Sequence, residues 1–265
     1  MVSEQRKVRW EQRDNVAWMY IDSPETRNAL SVEVIRDTVR SLEEIGRNDE
    51  IGTVCLRGEG DIAFCAGMNL RDLGRLDPAR PPLDAGLMHD AIRHFPKPVI
   101  AVVNGYCVGG GISLLANCDL AIASDRAVFG LPEVIRGGPP GRAMGEIIQT
   151  IPAKLSMELI LTGRNWDAQK ALQAGLINRI APHDQLEAMA QAWASDMASF
   201  PHQALANAKM IVHRLNDVLP HDERVQANTD AMRELSEQGD HGMFGNTENS
   251  ALNFLSKKQG TKATS

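Results

Sequence analysis

Short apolar strands alternate with helical segments from the N-terminus to about residue 180, and this alternation limits the possible folds more than any other feature of the 265-residue chain. A strand that returns to its sheet through a helix re-enters it in parallel, so the pattern predicts an α/β class with parallel pairing. The stretch VRWEQRDNVAWMYIDS alternates as two strands around a polar Asp14-Asn15 turn. In SVEVIRDTVRSLEEIGRND, helical spacing places Val34, Val39, Leu42 and Ile45 on one face, with Ser31 as N-cap. TVCLRG, VIAVVNGYC, DLAIAS and AVFG read as further strands, the second following the breakers Pro96 and Pro98. ISLLANC reads as a helix among them.

Beyond that point the pattern turns helical. DQLEAMAQAWASDMASF, HQALANAKMIVHRLNDVL and DERVQANTDAMRELSEQ have amphipathic spacing, and KKQGTKATS reads as a frayed tail. The expected organisation is a core over residues 1–200 and a helical region over 201–265, with no internal repeat at the 20–50-residue scale. The Pro-rich LDPARPPLDAG, near residues 76–86, reads as a loop.

Composition excludes several functions. Net charge is −6 with no basic stripe, which argues against a nucleic-acid partner. No run approaches the ~18 apolar residues of a membrane span. The polar N-terminus MVSEQRKVRWEQRDN lacks the apolar segment of a signal peptide, so the expected location is cytoplasmic. Cys55, Cys65, Cys107 and Cys118 form no C-x-x-C pair. They read as small buried apolar residues rather than metal ligands or disulfides.

Three glycine-rich patches compete for chemistry. RGEGDIA formally fits the dinucleotide-binding pattern through Gly58, Gly60 and Ala63, but no long helix follows it. In FCAGMNL, Gly67 allows a turn that would aim the Met68 N–H at a ligand; an ordinary strand-to-helix turn is the alternative. In GYCVGGGISLLANCDLAIAS, a strand runs into Gly109, Gly110 and Gly111 and a helix follows. Its free N–H groups suit an anion or a developing oxyanion, though close strand–helix packing also needs small residues. No Gly-Lys-Ser/Thr follows, so this is not a P-loop.

Glu133, in FGLPEVIRGGPPG, sits among Leu131, Val134 and Ile135. Partial desolvation there would raise its pKa and suit proton transfer; the alternative is a loop glutamate on the surface. His89 and His94 lie in the expected helix AGLMHDAIRHF and read as surface or boundary residues rather than a ligand pair. Ser113 has no visible base, which argues against a nucleophilic role.

Together the patches are specific. SPETRNALS, FCAGMNL, KPVIAVVNGYCVGGGISLLANCDLAIASDRAVFGLPEVIRGGPPG and AKLSMELILTGRNWDAQKALQAGLINRI occur in the order of the crotonase (enoyl-CoA hydratase/isomerase) family. The resemblance covers about residues 7–258. It implies a crotonase-type spiral of ββα repeats with a C-terminal helical trimerisation region, in a trimer or a dimer of trimers. It also implies an acyl-CoA thioester as substrate, with no separate cofactor and no metal. By motif position the oxyanion hole falls on the N–H groups of Met68 and Gly110. CoA and substrate contacts fall on Arg27, Ala29, Ala66, Leu70 and Gly141, with Lys257 of a neighbouring subunit near the CoA phosphates.

One departure carries information. Simple hydratases of this family have glutamate where this chain has Ser113, and a second glutamate where it has Glu133. A serine can position a water or hydroxyl but cannot accept a proton near neutral pH. Glu133 then becomes the sole general acid/base. The local text is similar to that of the hydroxycinnamoyl-CoA (feruloyl-CoA) hydratase-lyases, which add water and then release an aldehyde by retro-aldol cleavage. Against an aromatic substrate stands the tyrosine count: Tyr20 and Tyr106 are the only two. The expected activity is hydration of an enoyl-CoA, with or without cleavage. An enoyl-CoA isomerase and a non-catalytic assembly protein of the same fold are the alternatives.

Overall fold

The computed structural model describes residues 6–69, 72 and 83–216. β1 (Val8–Arg13) and β2 (Val16–Ile21) form a hairpin about Asp14, whose φ of 54° suits the turn. α1 (Val32–Gly46) is capped by Ser31, whose hydroxyl accepts from the Val34 N–H. Its buried stripe runs through Ile35, Thr38 and Leu42, while Val39 is only half-buried, so the apolar face is rotated from the expected one. β3 (Thr53–Gly58), β4 (Ala63–Cys65) and α2 (Leu83–Arg93) follow. The helix begins inside the segment expected to be a Pro-rich loop; the rest of that segment lies outside the described residues.

The expected strand VIAVVNGYC is two strands in two sheets. β5 (Val99–Val103) joins a six-stranded sheet, and β6 (Tyr106–Val108) joins a four-stranded one. The break lies at Asn104-Gly105. The Asn104 Nδ2 donates to the carbonyls of Gly58 and Gly60 at 3.0 and 2.6 Å. A Cβ on Gly105 would sit 2.2 Å from the Ile62 carbonyl oxygen, so only glycine lets these backbones pass. α3 (Gly110–Asn117), β7 (Leu120–Ser124) and β8 (Val128–Gly130) come next, then a 3-10 turn over Pro132–Arg136. α4 (Arg142–Thr150), α5 (Ala153–Thr162), β9 (Trp166–Asp167), α6 (Ala168–Ala174) and β10 (Arg179–Ala181) complete the α/β part. α7 (Leu186–Ala198) and α8 (His202–Asn216) follow. The third expected helix and Lys257 lie outside the described residues.

The six-stranded sheet has the order β1-β2-β3-β5-β7-β10, parallel from β2 onward; the smaller sheet is β4-β6-β8-β9, antiparallel only at β9. Every residue of β2 is buried, although its text suggested a half-exposed strand. Ala17, Met19 and Ile21 face the main core, while Val16, Trp18 and Tyr20 face a second cluster under α7. A strand covered on both faces loses polar alternation. α7 lies on that face through Leu186, Ala190, Ala194 and Ala198, and small residues at four-residue spacing permit a close approach. α8 is pinned by a part-buried ion pair between the Lys209 Nζ and the Asp119 Oδ2, 2.7 Å apart. The same carboxylate oxygen accepts from the Val99 N–H at 2.8 Å, which ties the start of β5 to α8.

Candidate active site

The parallel strands β4, β6 and β8 end side by side, so the segments that follow them meet at one edge of the small sheet. After β4 the chain turns at Gly67, whose φ is +90°. A parallel bridge then pairs Leu30 with Met68. The Leu30 N–H donates to the Gly67 carbonyl at 2.8 Å, and the Asn69 N–H donates to the Leu30 carbonyl at 3.0 Å. This pairing leaves the Met68 N–H facing away from Leu30, with no acceptor among the described residues. The Ala66 N–H donates to the Arg27 carbonyl at 3.1 Å. The RNAL and CAGMNL segments, far apart in sequence, are therefore laced together.

After β6, Gly109 takes φ +57° and ψ −125°, and α3 begins at Gly110. As a first-turn residue, Gly110 has no carbonyl four residues back for its N–H. The two free donors are neighbours. A Cβ on Gly110 would lie 3.3 Å from the Met68 nitrogen, and one on Gly67 would lie 3.1 Å from the Gly110 nitrogen. Two backbone N–H groups so placed can hold one oxygen carrying partial negative charge.

After β8, Glu133 enters from the 3-10 turn. A Cβ on Gly109 would lie 2.8 Å from the Glu133 Oε1, so the missing side chain makes room for the carboxylate beside the donor pair. Glu133 Oε2 is buried with no hydrogen-bond partner among the described residues. Burial pushes this carboxyl above its ordinary value, partly opposed by a backbone hydrogen bond within the turn and by the Arg136 charge. A carboxylate so placed can take a proton and return it.

Ser113 is 1% exposed, and its Oγ has no partner among the described residues. Ala29 is buried, Ala66 is half-buried, and Arg27 is exposed in the left-handed region at φ 59°. Gly141, at φ +56°, is the N-cap of α4. Arg27, Ala29, Ala66, Met68, Gly110 and Glu133 thus belong to one edge, reached from β4, β6 and β8; Leu70 lies outside the described residues. A cleft of about 470 Å³, lined by Asn104, Tyr106, Val128 and His183 among others, lies at the opposite ends of these strands.

One sequence expectation changes here, one holds and one residue was missed. His89 is buried rather than at the surface, because α2 packs against both α1 and α3. RGEGDIA is not a dinucleotide loop: the Gly58 Cβ position is blocked by the carbonyls of Ala63 and Phe64 at 2.2 and 2.5 Å, so the chain folds straight back into β4. Gly109 was passed over in favour of Gly110, yet it is the residue that admits Glu133; only its positive φ and its distant neighbour reveal this. The cysteines carry free thiols; burial raises the pKa of each, that of Cys65 to about 12. Among the described residues, no group of three His, Cys, Asp or Glu side chains could hold a metal ion, and no helix is long and apolar enough to cross a membrane.

Residues 11–258 match the family model for enoyl-CoA hydratase/isomerase. A hydroxycinnamoyl-CoA hydratase-lyase of Pseudomonas fluorescens is 37% identical over 190 residues, 68% of this chain and 68% of that protein. A probable enoyl-CoA hydratase of Mycobacterium avium is 34% identical over 87% of this chain and 90% of its own length. The crystal structure of a carnitinyl-CoA hydratase from Mycobacterium avium superposes with a TM-score of 0.80 at 32% identity, covering 96% of this chain and 97% of that one.

Proposed function

The chain belongs to the enoyl-CoA hydratase/isomerase family, and from that premise we propose that it adds water to an enoyl-CoA thioester with Glu133 as its sole acid/base. The observation that carries this reading is the convergence of two unbonded N–H groups, on Met68 and Gly110, beside the Glu133 carboxylate. The thioester oxygen accepts from both N–H groups. Glu133 takes a proton from water as the hydroxide oxygen bonds to the β-carbon. The π electrons move through the α-carbon onto the thioester oxygen, where the two donors stabilise the enolate. Glu133 then returns the proton to the α-carbon. Losing one such donor typically costs about 3–4 kcal/mol of transition-state stabilisation. Ser113 orients the water or the β-hydroxyl through its Oγ, and CoA runs along Arg27, Ala29, Ala66 and Leu70, with Gly141 at the acyl side.

Retro-aldol cleavage is the finer form of this proposal. It is supported by Ser113 in place of a second carboxylate and by the identity shared with a hydratase-lyase. Glu133 removes the β-hydroxyl proton, the Cα–Cβ bond breaks, and its electron pair becomes the enolate of the departing acetyl-CoA. The aldehyde leaves and the enolate is reprotonated. The single carboxylate equally suits an isomerase, in which Glu133 carries a proton between the α- and γ-carbons. The proposed assembly is a homotrimer or a dimer of trimers, formed through residues 201–265, working in the cytoplasm.

Purified protein offered crotonyl-CoA, a β,γ-enoyl-CoA and feruloyl-CoA, with products read by mass spectrometry, separates these reactions. Hydration, double-bond migration and aldehyde release each have a distinct mass or retention. Turnover of none of the three sinks the enzymatic reading and leaves the assembly protein.

A further inference from the structure

The helices beside the proposed reaction centre carry several buried polar groups. α3 packs against both α2 and α4. On α3, Ser113 and Asn117 share a face one turn apart; both are buried, and neither the Ser113 Oγ nor the Asn117 Oδ1 has a partner among the described residues. On α4, Glu146 is 4% exposed. Its partner Arg142 begins the same helix, directly after Gly141. The Arg142 Nε donates to the Glu146 Oε1 at 3.0 Å, and its Nη2 donates to the Asp90 Oδ1 on α2 at 2.9 Å. The third nitrogen, Nη1, has no acceptor among the described residues; it lies 3.0 Å from the position of a Cβ on Gly86, also on α2.

This arrangement is a donor held in place. Two arms of a planar guanidinium are fixed by carboxylates on different helices, so the direction of the third is set before any ligand arrives. The Gly86 contact brings the starts of α2 and α4 together, and α3, packed on both, starts at Gly110. A hydrocarbon laid against these helices would leave buried polar atoms without partners, at a cost of about 1–3 kcal/mol for each group. A carboxylate would be a third anion facing one guanidinium, beside the buried Glu146.

We propose that Arg142 reads the far end of the acyl group, and that this acyl group carries a neutral oxygen acceptor, a hydroxyl, carbonyl or ether. The assignment rests on the acyl-CoA reading above and narrows its substrate class. It predicts selectivity in binding, independent of turnover.

Hexanoyl-CoA, 6-hydroxyhexanoyl-CoA and adipoyl-CoA, none of which can be hydrated, are titrated into the full chain by calorimetry. The hydroxylated ester is expected to bind about tenfold more tightly than hexanoyl-CoA, the size of one hydrogen bond to a charged group. Adipoyl-CoA is expected to bind most weakly. R142L should bring the ratio of the first two Kd values close to one. E146Q keeps a hydrogen-bond acceptor for the guanidinium and removes one charge, so it should improve adipoyl-CoA relative to the other two. This keeps the proposal open to refutation if R142L does not fold. Equal wild-type Kd values, tightest binding of adipoyl-CoA, absence of binding by all three, or a ratio that survives R142L overturns the assignment. Hydration of trans-2-hexenoyl-CoA by the same preparation is scored separately. Turnover without selectivity sinks only the role of Arg142; selectivity without turnover sinks only the hydratase reading.

Discussion

The Met68 nitrogen lies 3.3 Å from the position a Cβ on Gly110 would occupy, and the Leu30 Cδ1 borders the same space at 3.4 Å, so the gap between the two donors is kept open by the missing side chain. Gly110→Ala would place a methyl group there without a positive-φ penalty, because Gly110 is helical. The expected result is a folded protein whose kcat falls at least about 100-fold, the scale of losing one oxyanion donor. Circular dichroism and steady-state kinetics check both halves, and full activity in a folded variant would refute the donor pair.

Gly109→Ala should be worse for folding. Its Cβ would lie 2.8 Å from the Glu133 Oε1 in a conformation with φ +57°. A non-glycine residue in a sparsely populated backbone region costs about 1–3 kcal/mol, and here the carboxylate must also move. A lower Tm together with lost turnover is expected; a Tm equal to that of Gly110→Ala contradicts the steric account.

Glu133→Gln should abolish turnover and keep affinity for a CoA ester. It should also stabilise the fold near neutral pH. Burial raises the carboxyl pKa in the folded state above its unfolded value of 4.5. The folded protein is then relatively more stable when the group is protonated, and that advantage is lost as pH rises through the raised folded pKa. The variant has no charge to desolvate, so its Tm advantage should be present at pH 7 and shrink below about pH 4. Thermal melts across that range test the sign. The same shift places the acidic limb of kcat/KM above the ordinary carboxylate range, since the base form of Glu133 starts the reaction. In Glu133→Gln any residual rate should lack that limb.

Ser113→Ala separates positioning from proton transfer. The Ser113 Oγ is buried without a partner among the described residues, so its removal should leave Tm unchanged or raise it. Turnover should fall about 10-fold, far less than in Glu133→Gln, on the scale of one neutral hydrogen bond. The reverse ranking would make the serine the more critical group.

Lys209→Met tests the attachment of α8. It leaves Asp119 with the Val99 N–H and with the His213 ring 3.6 Å away, but without its lysine. Breaking a fully buried pair by removing one partner costs about 3–5 kcal/mol, and this part-buried pair should cost less. The expected signature is a lower denaturant midpoint with faster amide exchange in α8 and β5, and exchange confined to α8 would show that Asp119 holds β5 unaided.

Local chemistry made much of the fold legible. Ser31 before an amphipathic run marked the start of α1, and short apolar runs marked β3, which glycine ends, β5, which follows Pro96 and Pro98, and β7. Glycines also marked two patches able to free backbone N–H groups, and the family resemblance assigned the donors to Met68 and Gly110. Burial on both faces of β2 was not legible, since α7, which covers the second face, comes more than 160 residues later. Nor was the burial of His89, which depends on the helices packed around α2.

The sequence by itself determined the order of strands and helices, the period-two division of each central strand into two faces, and the glycines that free two backbone donors. Tertiary structure alone decided the break at Asn104-Gly105 that sends β5 and β6 into different sheets, because it depends on Asn104 reaching the carbonyls of Gly58 and Gly60. It also decided that Glu133 lies against Gly109, and that Arg142 spans from Glu146 to Asp90. Dihedral preferences and side-chain periodicity act over a few residues and leave their mark in the text. Contacts across 20 to 50 residues depend on how finished elements stack, and no local preference encodes them.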